Sequence, residues 1–421
     1  MFTKVPFIAR LLHDDGASNA ILLDDGISYL LWASAGDYVV YSYKPLINYT
    51  ESIEWKTNII STKSKEQRIC IRRNPRTIFN FSGYFTDIQY REIKAILRSL
   101  NKTPVILPDW NSGTIIHTIL NTDTEILFDT SLGNYADGQK IVLYDGIDYY
   151  KVATIDNVQS DRIVLTESIG ESFTNVYICP AYEVIIRNGM SFNRQGNNIV
   201  IGNFIMESVD NYDYSATLSY PTYRGYPVWL ECNPILGGIN DSIARDFDSY
   251  DNEQGIPALE FKYNYVGRTF TLNFSTETIL EISALKRFLH TMKGRYKTFW
   301  LPTLNHDIKL HANITNGSTT MQVTAFGYGY YYDGEVSDIL IELKNGTRYY
   351  NRILSSTKDI DVETFTVQTP MFPINVSDVK RIMFLHHVRF DADTIELRHI
   401  TKNVTQVSTV VREVRDTVYD L

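Results

Sequence analysis

Cysteine is scarce: the 421 residues carry only Cys70, Cys179 and Cys232, far apart and odd in number. That excludes a disulfide framework, offers no zinc-ligand spacing and leaves buried free thiols as the default. No stretch reaches the roughly 18 apolar residues that a membrane-spanning helix needs, and residues 1–10 lack a signal-peptide core. The expectation is a protein made and kept in a cytoplasm, without membrane insertion. Positive charge is also short, 40 Lys and Arg against 49 Asp and Glu, for a formal net charge of −9. Wrapping nucleic acid needs concentrated cations, so that class is excluded, although an acidic surface can guide DNA by repelling it. Enzyme signatures are missing: there is no G-x-S-x-G, H-E-x-x-H, Walker loop, or G-x-G-x-x-G after a strand. His306 and Asp307 fall in a loop beyond a Leu-Pro pair, while His386 and His387, adjacent on a strand, face opposite sides and cannot chelate one ion together. Carboxylates are too common here to mark a glycosidase pair by spacing. No catalytic residue, metal ligand or cofactor is expected.

What is abundant builds strands. Aromatics make up 13%, with 29 Tyr and 20 Phe, and Thr, Ile and Val recur throughout. The length predicts about two to four domains. One stretch occurs twice: residues 77–81, 93–100 and 105–108 are matched by residues 269–274, 285–292 and 299–302. Each copy reads as a strand, an amphipathic helix and a short apolar strand stopped by Leu-Pro. Ile93, Ile96, Leu97 and Leu100 fall at i, i+3, i+4 and i+7, as do Leu285, Phe288, Leu289 and Met292, giving each helix one apolar core face. Thr86 and Gln89 have capping-box spacing, and Ser275 or Thr276 is available to cap the second helix.

After each Leu-Pro comes a hairpin about a turn dipeptide, Asp145-Gly146 in the first copy and Asn345-Gly346 in the second, each followed by a Tyr-Tyr pair. The fold class is therefore mainly β with α+β cores: two tandem β-barrel or sandwich units, each with one packed helix and an inserted small all-β module. The expected boundaries are an N-terminal arm, 1–50; a first core, 51–115 with 180–222; a first module, 116–179; a second core, 223–303 with 384–421; and a second module, 304–383. The arm, with acidic-glycine turns at residues 14–16 and 24–26, either covers a neighbouring subunit or adds a strand to the first core. Trp55, Arg68, Arg72, Trp229, Asp251, Asn252, Arg295 and Trp300 are candidate interface residues. Arg68, Arg72, Arg73 and Arg76 read as a solvated strand face with inter-subunit salt bridges. Tyr149, Tyr150, Tyr328, Tyr330, Tyr331 and Tyr332 are candidate surface-binding aromatics, with cross-strand packing inside the module as the alternative.

Residues 289–295 and 299–303, preceded by the loop 250–255, together with Glu54, Trp55 and the basic run at 64–76, resemble proteins of long, non-contractile phage tails, of the distal-tail or baseplate-hub type. The likeness covers residues 50–310. It departs at residues 101–104, where the first copy has Asn-Lys-Thr-Pro and the second a Lys293-Gly294-Arg295 turn with two further residues. The resemblance implies a structural component of the virion's tail tip, a tube-like β-barrel with a packed helix, joining the tail tube to hub or fibres. The implied partners are the tail tube protein, tail-tip hub or fibre proteins and the tape-measure protein, with DNA passing through the lumen unbound. Paired cores in one chain suit a homo-oligomer of three chains with pseudo-sixfold symmetry, six chains being the alternative. A second function is receptor or glycan binding through the inserted modules.

Overall fold

The computed structural model describes residues 39–414, apart from 47, 62–65, 100–103, 147–148, 196–198, 216–219, 231–233, 245–246, 262–266 and 333–335, together with a pairing of Leu11–Leu12 with Ser18–Asn19. Most of the expected arm therefore lies outside the described residues. Its end, at residues 39–41, adds to the first core: Val40 bridges Ile106 in parallel, and Tyr41 N donates to the Ile106 carbonyl at 2.8 Å.

The chain is mainly β, with a large antiparallel sheet, as the composition requires. Its first half runs β1 (Tyr49–Ser61), β2 (Glu66–Phe85), α1 (Asp87–Ser99), β3 (Val105–Pro108), β4 (Thr114–Ile119), β5 (Glu125–Leu127), β6 (Lys140–Gly146), β7 (Tyr149–Val158), β8 (Arg162–Leu165), β9 (Phe173–Arg194) and β10 (Val200–Ser208). The second runs β11 (Pro234–Ala244), β12 (Phe247–Tyr250), β13 (Ala258–Phe261), β14 (Gly267–Thr276), α2 (Ile279–Met292), β15 (Phe299–Pro302), β16 (Ser318–Thr324), α3 (Tyr328–Tyr331), β17 (Ser337–Leu343), β18 (Arg348–Ser356), β19 (Val362–Met371), β20 (Val379–Phe390), β21 (Thr394–His399) and β22 (Thr405–Glu413).

The order of pairing in the first half recurs in the second. β2 lies between β1 and β10, and β9 pairs with β10, β3 and the hairpin strand β6. Likewise β14 lies between β11 and β22, and β20 pairs with β22, β15 and the hairpin strand β17. Alternation along the two strands turns Phe79, Phe81 and Phe85 of β2, and Phe270, Leu272 and Phe274 of β14, to one buried face each.

Each helix closes over such a face. Ile93 packs into the first core, while Leu285, Phe288, Leu289 and Met292 all enter the second, where Phe288 stacks on Trp229 at 5.0 Å. Burying each of these large side chains is worth about 1.5–3 kcal/mol. Ile96 and Leu97 belong to α1 with side chains outside the description, and Leu100 lies outside the described residues. The capping box forms: Thr86 N donates to Gln89 Oε1 at 2.9 Å and Gln89 N to Thr86 Oγ1 at 3.3 Å.

Three features differ from the sequence expectation. The second helix is capped by Thr278, whose Oγ1 accepts from Glu281 N at 3.2 Å, rather than by Ser275 or Thr276; β14 stays paired with β22 through Thr276, so the turn starts later. The expected borders at 179/180 and 383/384 cut single strands, because β9 and β20 run unbroken from module to core. Finally, Tyr328 opens a short helix against the module core instead of a surface segment.

Candidate assembly interface

The two halves meet along one strand. β1 pairs with β2 on one side and, through Thr394↔Glu54 to His399↔Tyr49, with β21 of the second half on the other. Ile53 and Trp55 consequently sit in the second-half core with Phe288 and Leu397. On the same face of β1, Glu51 is 2% exposed. Its Oε2 lies 2.7 Å from Lys286 Nζ of α2 and 3.0 Å from His399 Nε2 of β21. Lys286 also reaches Asp109 at 3.2 Å, and His399 Nδ1 meets Thr405 Oγ1 at 2.8 Å. Burial works to raise the Glu51 carboxyl, but the Lys286 charge and the His399 hydrogen bond outweigh it and hold it at about 2. Burial likewise opposes the Lys286 charge, and Asp109 and Glu51 together hold its pKa above the usual lysine value.

Further contacts extend the seam. Asp393, in the turn before β21, accepts from Thr57 N at 2.8 Å, Arg295 N at 3.1 Å and Arg295 Nη2 at 3.2 Å. Arg295 Nη2 also donates to the Thr57 carbonyl at 3.0 Å. The approach requires Gly294, at φ +61°, since a Cβ there would stand 2.8 Å from Asp393 Oδ1. Arg389 of β20 holds Glu66 of β2 with two bonds, 2.9 and 3.0 Å, both side chains nearly buried. Arg287 of α2 donates to the Gly133 carbonyl of the first module at 2.8 Å.

This geometry sorts the sequence candidates. Trp55, Trp229 and Trp300, at 3, 1 and 0% exposed, are core residues and offer no surface to a neighbour, because β1, α2 and β20 cover them from within the chain. Arg295 is taken up within the chain, between the halves, by Asp393 and the Thr57 carbonyl. Arg72 pairs inside the β1–β2 hairpin, donating to the Glu54 carbonyl at 3.1 Å with the Glu54 carboxylate at 3.8 Å, and Arg76 reaches the Glu207 carboxylate at 2.7 Å, so these two ion pairs lie within the chain. Arg68 is half-buried on the same hairpin. Asp251 and Asn252 are exposed at the tip between β12 and β13, accepting from the backbone of Glu253 and Gln254.

The tyrosines divide. Tyr328 is 1% exposed and stacked on Tyr332 at 4.7 Å, both belonging to the module packing. Tyr150 is half-buried beside Val142, and Tyr149 leans on Phe173 at 5.4 Å while remaining 46% exposed. Tyr330 and Tyr331 are open to solvent, at 54 and 85%. His386 and His387 do face opposite ways, the first toward Glu413 and the second onto Trp300 and Tyr226.

Glu51, Lys286, Asp109 and His399, the centre of the seam, escaped sequence reasoning. The one available signal was the Ile-Lys and Leu-Lys pairs shared by the two helices, Lys94 and Lys286. Among the described residues no group of three His, Cys, Asp or Glu side chains is placed to hold a metal ion. Compared with known proteins, the chain matches no family model and no curated sequence.

Proposed function

We propose that this chain is a structural, ring-forming protein of a phage tail tip, in which two duplicated tube-like units per chain stand side by side around a DNA channel. The observation that carries the reading is the seam itself: β1 continues the sheet of one half directly into the other, so unit joins unit by shared backbone pairing. The repeated order of strands about one packed helix, and the resemblance of residues 50–310 to distal-tail and hub proteins, support it. Three chains give six units, matching a sixfold tube on one face and a threefold hub on the other. The modules, carried on β9 and β20, lie outside the ring, and an acidic lumen lets DNA pass without sticking. Negative-stain electron microscopy of the purified chain is expected to show closed rings, and antibody labelling to mark the tail tip of the virion. A chain that stays monomeric and never labels virions overturns the reading.

Tyr331, 85% exposed beside Tyr330, favours a second role for the second module, stacking on a receptor glycan. Tyr331→Ala is then expected to reduce adsorption to cells with ring assembly intact.

A further inference from the structure

The repeated pairing fixes which residues correspond. Pro108 pairs with Ala181 and Pro302 with Leu385, so Ile186 and Phe390, each five residues further on, are equivalent. Met206 pairs with Phe79 and Ile186, and Val411 with Phe270 and Phe390, so these triplets occupy equivalent places. Stepping along the ladders, Glu51 opposite Phe79 corresponds to Asp241 opposite Phe270, and Ile53 to Ile243. Phe192 opposite Gly202 corresponds to Leu397 opposite Val407, hence Met190 to Ile395 and Arg194 to His399. On the helices Lys94 corresponds to Lys286.

One half of this correspondence is occupied and the other is open. Ile53 is 1% exposed because β21 and the second core cover it, whereas Ile243 is 58% exposed. Among the described residues β11 pairs only with β14, and residues 190–194 only with β10. A row of backbone N–H and C=O groups on each edge is thereby presented for pairing. Basic side chains stand at the matching places as well. Lys94 Nζ and Arg194 Cζ lie 5.0 and 5.3 Å from the Tyr90 ring centre, and among the described residues neither makes an ion pair. In the closed seam the equivalent pair, Lys286 and His399, encloses Glu51.

We propose that residues 239–244 of β11 pair antiparallel with residues 190–194 of β9 in a second copy of this chain, placing Ile243 opposite Met190 and Asp241 between Lys94 and Arg194. This rests on the duplicated-unit reading above and repeats between chains the seam found within one. Because the two surfaces differ, the contact is head-to-tail and propagates until the ring closes.

Disulfide trapping in the full chain tests it. Directly opposed residues of an antiparallel pair have Cα atoms roughly 4.5–5.5 Å apart, within disulfide reach. The Ile243→Cys, Met190→Cys double variant is expected to form covalent multimers ending in one closed species under mild oxidation, while each single variant does not. Asp241→Arg is expected to weaken self-association about tenfold or more by sedimentation, with partial recovery on adding Arg194→Asp. Self-association without the cross-link, or no association at all in chains of unchanged circular dichroism, overturns the proposal. Cross-linked rings that are missing from virions would sink only the tail assignment; tail tips that contain the chain but never yield the cross-link would sink only this pairing.

Discussion

Glu51 is charged at the centre of the seam because the Lys286 ammonium and a hydrogen bond from His399 reach it from the second half, and each member of the group depends on the others. Removing one partner leaves the rest buried and uncompensated, which costs roughly 3–5 kcal/mol, far more than a surface ion pair is worth. Lys286→Ala is therefore expected to destabilise the chain by that amount in urea unfolding. Adding Glu51→Gln and Asp109→Asn should recover a large part of it, since the stranded carboxylates are then neutral. The same residues set the response to acid. Glu51 titrates at about 2 in the folded chain against a usual 4.5, so its stabilisation is complete above 4.5 and is lost as pH falls toward 2. Burial pushes His290 down to about 4 and His387 to about 3, from 6.5. Both fold as neutral rings, so their contribution is in place above pH 6.5 and is lost on descent through 4 and then 3; each is worth on the order of 3–5 kcal/mol. Calorimetry is expected to show a melting temperature steady above pH 7 and falling steeply between 6.5 and 3. His387→Phe, which keeps an aromatic ring against Trp300, should flatten the lower part of that fall. None of this was legible beforehand. Lys286 is one residue past an apolar position and reads as solvent-facing until a second half is packed against it.

At the scale of elements, local chemistry was visible and its partners were not. Both helices, the Asn345-Gly346 turn and the Thr86 capping box are written within a few residues, so spacing alone exposed them. Asp145 and Gly146, expected as a turn, instead end β6, with Gly146 paired to Tyr149. The Thr278 cap was missed because strand pairing, a long-range fact, carries β14 through both Ser275 and Thr276. The tryptophans failed similarly: an apolar residue beside a polar loop has the same pattern whether a neighbour chain or the chain's own second half covers it. Thr278→Ala is expected to cost about 1 kcal/mol, as loss of a helix N-cap does. Gly294→Ala should cost more, roughly 1–3 kcal/mol, because its left-handed φ and its approach to Asp393 must both give way. Thermal melts of the two variants rank them, and an ordering with Thr278→Ala the more damaging would mean that the Gly294 turn is not held by the seam.

At the scale of the whole molecule, the two hairpins that extend from equivalent strands have opposite fates. The β1–β2 hairpin lies down on the second half, fixed by Glu66 on Arg389 and by Thr57 on Asp393 and Arg295. The β12–β13 hairpin has all eight paired residues exposed, with Phe247, Tyr250, Leu259 and Phe261 among them and Ile256 at 96% at its tip. A lone two-stranded ribbon is at best marginally stable in water, and so many uncovered apolar side chains are a liability unless something covers them. If the ring contact repeats the internal seam, this hairpin lies on the first half of the next chain, as its counterpart lies on the second half of its own. Replacing residues 247–261 with a short Gly-Ser turn is then expected to leave the isolated chain almost as stable as before, within about 0.5 kcal/mol, because little is buried there. Ring formation should be lost, while an equivalent replacement of residues 57–72 should unfold the seam itself. Sedimentation and urea melts of the two deletions separate these outcomes: equal loss of stability from both would mean that the second hairpin already has its partner within the chain.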